Sequence, residues 1–298
     1  MNSSAKKPPE NAAQPQVVAF FDSQTNTFSY IVRDPGSDAC AVIDSVLNLD
    51  YPSGRVSYEG ADDIIHCVQK HGLRIEWLIE THVHADHLSA APYLQNALGG
   101  RLGIGEHINI VQDTFGAIFN AGPEFRRDGT QFDHLFTDGE RYTIGNLHAT
   151  AMHTPGHTPA CMTHVIGNAA FVGDTLFMPD GGTARADFPG GDARTLYRSI
   201  HKVLSLPEQT RLYMCHDYPP EEREVEYETT VRDELEHNIH VNRSVTENAF
   251  VAMREARDKT LDMPRLILPA LQVNMRAGHF PDAEDNGTVY LKIPVNIL

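Results

Sequence analysis

Within six residues the sequence places three imidazoles and one carboxylate, His82, His84, Asp86 and His87, in the run Thr-His-Val-His-Ala-Asp-His over 81–87. Neutral imidazole nitrogen and carboxylate oxygen are suitable ligands for zinc or iron. A lone histidine is more often a hydrogen-bonded core or surface residue. Four ligand-type side chains at this spacing, directly after an apolar run, point instead to a metal-binding catalytic loop. Three further candidates each follow an apolar run: His157 in His-Thr-Pro-Gly-His, Asp174 in Phe-Val-Gly-Asp, and His216 in Leu-Tyr-Met-Cys-His-Asp. Singly, each has a plain structural explanation as a turn or loop residue, and His153 reads as a surface histidine. Together they form a pattern, because functional groups collect in loops that a rigid sheet positions.

The elements that must do this positioning are legible in outline. Short β-rich runs over 17–21, 28–32 and 41–43, separated by Asp/Asn/Thr and Pro-Gly turns, predict antiparallel strands. Apolar spacing through Ile64, Ile65 and Val68 predicts a helix over 61–70 that stops before Gly72. A buried strand over 75–79 then leads into the histidine loop, and helical spacing over 88–98 ends at Gly99-Gly100. A strand over 101–104, a helix over 108–119 and β patterns over 142–152 follow. Further strands are expected at 161–166, 170–172 and 212–214, with a helix over 195–204 between the last two. Residues 219–259 are charged and helical in pattern, and 289–293, after Asn286-Gly287, reads as a last strand.

Composition narrows the functional classes. The 298 residues fit one large α/β core, and a 41% apolar content is ordinary for a globular protein. No apolar run approaches the ~20 residues of a membrane span. A formal net charge of -16 without a compensating Lys/Arg cluster excludes a phosphate backbone as partner. The four cysteines stand far apart with no Cys-x-x-Cys pair, which fits a reducing, cytoplasmic setting. Residues 1–16 lack the apolar stretch of a secretory signal and read as a mobile tail. The remainder, 17–298, reads as a single catalytic domain with helical and C-terminal additions after about residue 218.

The His-x-His-x-Asp-His run, with His157, Asp174 and His216 downstream, resembles the metallo-β-lactamase superfamily. That resemblance covers 17–217 and implies an α/β architecture, the αββα sandwich, with two mixed sheets flanked by helices. All seven ligands of a two-metal hydrolase are present, so the motif alone allows a binuclear zinc enzyme that activates water. Three later segments are more discriminating: Gly-Thr-Ala-Arg-Ala-Asp-Phe over 182–188, Gly-Asp-Ala-Arg-Thr-Leu-Tyr-Arg-Ser-Ile over 191–200, and Pro-Ala-Leu-Gln-Val-Asn-Met-Arg-Ala-Gly over 269–278. These are similar to the persulfide dioxygenase family, also called sulfur dioxygenases.

Carried over position by position, this likeness implies that His82, His157 and Asp174 hold one Fe(II) per chain. His84, Asp86, His87 and His216 then become supporting residues that orient the ligands and hydrogen-bond oxygen or water. The implied reaction converts glutathione persulfide, dioxygen and water to sulfite and glutathione, a sulfide-oxidising step, and the family likeness implies a homodimer. Glutathione carries two carboxylates, which makes Arg185, Tyr197 and Arg276 candidate substrate contacts. Each also has a structural explanation: an Arg185–Asp187 ion pair, a core tyrosine on the helix from Thr195, and a solvated arginine.

The sequence departs from the family's shorter members over 45–60, between Asp174 and Arg185, and after Gly278, where a lid or a dimer contact would fit. Two rival readings stay open. One is a binuclear zinc thioester hydrolase of the glyoxalase II type, supported by the full ligand set; the other is a metal-retaining sensor without catalysis. A thiol catalyst has no sequence support, since no cysteine stands beside an activating base.

Overall fold

The computed structural model of the chain describes residues 14–221 and 223–297. Most of the expected N-terminal tail therefore lies outside the described residues, and Gln16 already opens a strand. Three antiparallel strands come first: β1 (Gln16–Asp22), β2 (Thr27–Arg33) and β3 (Ala39–Ile43). A small hairpin, β4 (Val46–Asp50) and β5 (Arg55–Ser57), precedes α1 (Glu59–Lys70) and β6 (Arg74–Ile79). Next come β7 (Leu88–Ser89), α2 (Ala91–Leu98), β8 (Arg101–Gly105), α3 (Ile108–Ile118) and β9 (His134–Phe136). The first sheet has the order β1-β2-β3-β6-β8-β9, parallel from β3 onward.

The second sheet is built from β10 (Arg141–Ile144), β11 (Leu147–His153), β12 (Met162–Ile166), β13 (Ala169–Phe171), β14 (Arg211–Tyr213) and β15 (Glu228–Thr230), in that order. Its first four strands form an antiparallel meander, and α4 (Ala193–Val203) carries the chain between the parallel pair β13 and β14. Helices α5 (Val231–His237), α6 (Glu247–Asp258) and α7 (Ile267–Asn274) complete the chain.

Period-two alternation distributes β3 between two cores. Ala39, Ala41 and Ile43 face the space between the sheets with Tyr30, Trp77, Phe136, Phe171 and Tyr213. Cys40 and Val42 face outward onto a layer that includes Ile64, Leu94, Val111 and Leu271 from α1, α2, α3 and α7. A strand buried on both faces reads as a continuous apolar run, as 39–43 does. Leu196, Ile200 and Phe250 of α4 and α6 cover Ala170 and Leu212 on the far side of the second sheet. The result is helix, sheet, sheet, helix: the expected αββα sandwich.

Several boundaries differ from expectation. Leu88 and Ser89 pair with Leu47 and Val46 as β7, so the helix begins only at Ala91, with Pro92 in the first turn where its missing N–H costs nothing. Residues 219–221 and 223–227, which begin Pro219-Pro220, are not helical; the helical stretch starts at Val231 after β15, where the Thr230 side chain accepts from the Asp233 N–H. Residues 289–293 form no strand. There the Lys292 N–H donates to the Gln272 side chain on α7 instead of to a sheet.

Candidate metal centre

Every candidate ligand stands just beyond the C-terminal end of a strand. The 81–87 loop follows β6, His157 follows β11, Asp174 follows β13 and His216 follows β14. Backbone bonds join the two sheets at this edge: Met162 N–H donates to Thr81 O at 2.9 Å and Phe28 N–H to Cys215 O at 2.8 Å. Close approach of β13's exit to the 81–87 loop requires a residue without a side chain at 173. Gly173 has φ +52°, and a Cβ there would meet Thr81 Oγ1 at 2.7 Å.

The side chains converge as two groups. Ligand atoms of His82, His157 and Asp174 lie within 4.8 Å of one another, as do those of His84, Asp86, His87 and His216. Asp174 lies between the groups, 3.5 Å from His157 Nε2, 3.9 Å from His82 Nε2 and 3.3 Å from His216 Nε2. Six of the seven side chains are at least nine-tenths buried, and Asp86, at the cavity edge, is 20% exposed.

Hydrogen bonds fix which ring nitrogen of the histidines carries a proton. Asp44, which sequence reasoning missed, is central. Burial raises its carboxyl, but the charge of His84 and hydrogen bonds outweigh that and hold it at about 2. It is therefore an acceptor only. Thr81 Oγ1 donates to Asp44 Oδ2 at 2.9 Å, so the same oxygen must accept from His82 Nδ1 at 3.0 Å. That leaves the His82 Nε2 lone pair free. His84 Nε2 donates to Asp44 Oδ1 at 3.0 Å, freeing Nδ1. His157 Nδ1 donates to the Arg185 carbonyl at 2.8 Å and His216 Nδ1 to the Asn26 carbonyl at 3.2 Å, each leaving Nε2 free.

Burial, reinforced by the charge on His84, drives His82 well below its ordinary value and keeps it neutral. Burial also opposes charge on His84 and His216, but Asp44 beside the first and Asp86 beside the second outweigh it and hold both imidazoles well above the usual range, so a metal ion that takes His84 Nδ1 or His216 Nε2 must displace a proton there. Asp174 is held well below the carboxylate range: burial raises it, and the combined pull of His216, His82 and His157 overcomes burial.

Among the described residues His82 Nε2, His84 Nδ1, His87 Nε2, His216 Nε2 and Asp174 Oδ1 are buried without a hydrogen-bond partner. Such orphaned polar atoms are costly in a protein interior, and these five are divided between the two groups. A divalent cation in the first group would take up His82 Nε2 with Asp174, and an ion or water in the second would face His84, His87 and His216: the donors are nitrogen and oxygen, and other groups fix their orientation. The residues fit a metal ion.

Asn274 supports the loop from α7. Its Nδ2 donates to the carbonyls of His84 at 2.9 Å and His87 at 2.8 Å, while its Oδ1 accepts from Ser89 N–H at 2.8 Å. Within the segment 269–278, sequence reasoning misses this residue; an amide at the end of an apolar helix is the signal that could have found it.

A cavity of about 580 Å³ opens onto Asp86, His157 and Asp174. Arg185 lines it, but its guanidinium is held by Asp187 at 2.6 and 2.8 Å and by the Asp262 carbonyl at 2.8 Å. Tyr197 and Arg276 stand elsewhere. Tyr197 donates to the Val245 carbonyl at 3.0 Å between α4 and α6. Arg276 lies over Phe125 and donates to the Gln272 carbonyl, in a separate cavity on the α7 side. Neither lines the main cavity: an interhelix hydrogen bond engages Tyr197, and a bond to its own helix engages Arg276. Tyr218, not anticipated, stacks on His216 with ring centroids 5.9 Å apart and lines the main cavity.

Residues 23–216 match the family model described as the metallo-beta-lactamase superfamily, and the chain belongs to that superfamily. It is 60% identical over 292 residues to the "Probable metallo-hydrolase" of Burkholderia pseudomallei (strain 1710b), covering 95% of this chain and 99% of the relative. It is 48% identical to "Glyoxylase B2" of Dictyostelium discoideum, covering 95% and 98%. To "Persulfide dioxygenase ETHE1, mitochondrial" of Bos taurus it is 30% identical, with 87% of each chain covered. Among solved structures, that of ETHE1 from Myxococcus xanthus superposes with a TM-score of 0.70 at 26% identity, covering 89% of this chain and 100% of that one. Among the described residues no helix is long and apolar enough to cross a membrane.

Proposed function

We propose that this enzyme is a mononuclear Fe(II) persulfide dioxygenase acting on glutathione persulfide. The observation that carries the reading is the buried trio His82, His157 and Asp174, whose two oriented imidazoles and one ionised carboxylate meet at the floor of the cavity. The full-length likeness to persulfide dioxygenases supports it. Iron held by His82, His157 and Asp174 would supply redox chemistry with dioxygen that zinc lacks.

The reaction balances as persulfide, dioxygen and water giving glutathione, sulfite and two protons; the terminal sulfur loses four electrons and dioxygen takes them up. The chain's part is placement. Phe177, Phe188 and Tyr218 wall the cavity beside Asp174 and keep bulk water from the reacting sulfur. Burial raises the Asp86 carboxyl, but the charges of His216 and His87, at 3.4 and 3.5 Å, outweigh burial and hold Asp86 well below the usual carboxylate range, so it stays ionised and is positioned to accept a hydrogen bond from water. His84 is held by Asp44 and turns one nitrogen toward this second group.

A second reading has its own support. The complete group His84, Asp86, His87 and His216 can hold another ion, and relatives at 60% and 48% identity bear hydrolase or glyoxylase names. A binuclear zinc thioester hydrolase follows from that. Metal analysis of the protein as purified separates the two. About one iron per chain is expected; two zincs per chain with rapid hydrolysis of a glutathione thioester would replace the dioxygenase by the hydrolase.

A further inference from the structure

The arginines of the main cavity divide into two kinds. Arg185 is spent on Asp187, and Arg254, buried on α6, is spent on Asp258 at 2.6 and 2.8 Å and on the Thr183 carbonyl at 2.9 Å. These two fix the 183–187 loop, since Asp258 Oδ2 also accepts from Ala186 N–H at 2.9 Å. Arg257, one turn beyond Arg254 on α6, and Arg265 also line the cavity, and both are exposed. Neither side chain makes a hydrogen bond or ion pair among the described residues. In a chain with a net charge of -16, two of the four arginines of this cavity are paired, and the other two leave unengaged guanidinium groups at one cavity mouth, available to an anionic ligand.

We infer that Arg257 and Arg265 are the specificity-determining residues of the site, each receiving one carboxylate of a tripeptide thiol derivative whose sulfur lies at the metal-ligand floor. The inference rests on the reading of a glutathione-derived substrate, which both the dioxygenase and the hydrolase share. Its chemistry follows from the shape of the ligand. The sulfur branches from the middle residue, and a carboxylate ends each arm, so a sulfur at the floor sends two anions toward the mouth. A planar guanidinium accepts a carboxylate in bidentate fashion. Asp262, whose carboxylate is also unengaged among the described residues, stands in the same wall and suits the ligand's single ammonium group. Leu261 and Ile239, apolar, exposed and on the same cavity, are placed to cover the ligand's methylene groups.

The cavity volume of about 580 Å³ lies in the range of sites that enclose ligands of this size. The two arginines therefore select for a dianionic ligand and set its direction.

Calorimetric titration of the full-length protein with S-methylglutathione, and with the diethyl ester of the same compound, tests this without catalysis. The acid should bind at least tenfold more tightly than the diester to the unaltered protein. Arg257→Gln and Arg265→Gln should each weaken the acid by about tenfold, the factor equal to ~1.4 kcal/mol, and leave the diester within twofold. The doubly substituted protein should no longer tell acid from ester. Equal affinity of the unaltered protein for both ligands, absence of binding, or an equal loss for acid and ester in the variants would overturn the inference. The comparison of the two ligands on the unaltered protein requires no variant to fold. A protein that prefers the acid yet consumes no oxygen with glutathione persulfide keeps this inference and loses the dioxygenase reading.

Discussion

At the scale of single residues, Asp44 decides how two of the histidines present themselves. Its two oxygens take the protons of Thr81 and His84, and Thr81 relays the same constraint to His82. Ligand-orienting groups of this kind are worth ~10–100-fold in metal affinity or activity. Asp44→Ala should therefore lower iron retention by about that factor in a chelator competition, although Asp44 touches no proposed ligand position. Asp174→Ala and His157→Ala should lose bound iron and activity together, measured by elemental analysis and oxygen uptake; full occupancy in either variant would break the ligand assignment. The seven ligand-type residues were legible because their types and spacing are rare outside metal sites. Asp44 was not, because it is one aspartate after one apolar strand, and only the left-handed turn at φ +51° brings it back under the loop. Arg276 and Tyr197 stand away from the main cavity; a suitable residue type near a matching motif says nothing about which neighbour it serves.

At the scale of elements, the loops depend on what packs behind them. Asn274 binds two carbonyls of the 84–87 segment and one N–H of β7. Removing its side chain strands these buried groups, so Asn274→Ala should cost about 1–3 kcal/mol in denaturant unfolding and loosen metal retention in parallel. Gly173→Ala adds a Cβ against Thr81 in a left-handed backbone, and should disturb the relay to His82 more than it disturbs the sheet. Strands over 28–32, 41–43 and 75–79 were readable because alternation or unbroken apolar runs survive in the sequence. Helix α7 was not. Its residues are buried nearly all round, so the period that marks a half-exposed helix is absent. The edge pieces β5 and β7 are three and two residues long, too short for any pattern, and exist because β4 lies between them.

At the scale of the whole molecule, the two sheets and their helices bury apolar faces in three layers, and Glu234 is among the acidic groups buried with them. Glu234 on α5 accepts from Asn238, but burial pushes its carboxyl up to about 8. Folded protein then holds a proton between pH 4.5 and 8 that unfolded protein releases. Stability is fully expressed below the lower value and falls as pH rises toward 8, by an amount on the order of a few kcal/mol. Glu234→Gln should flatten that slope, seen as a smaller drop in Tm between pH 5.5 and pH 8. The central claim, that the buried trio supports oxidation of a persulfide and not hydrolysis, has one direct test. Protein loaded anaerobically with Fe(II) is mixed with glutathione persulfide in air, and oxygen uptake and sulfite are followed together. The account predicts one dioxygen consumed per sulfite formed, well above an iron-only blank and lost in Asp174→Ala. No uptake above the blank, with rapid cleavage of a glutathione thioester by the zinc-loaded protein, would contradict it.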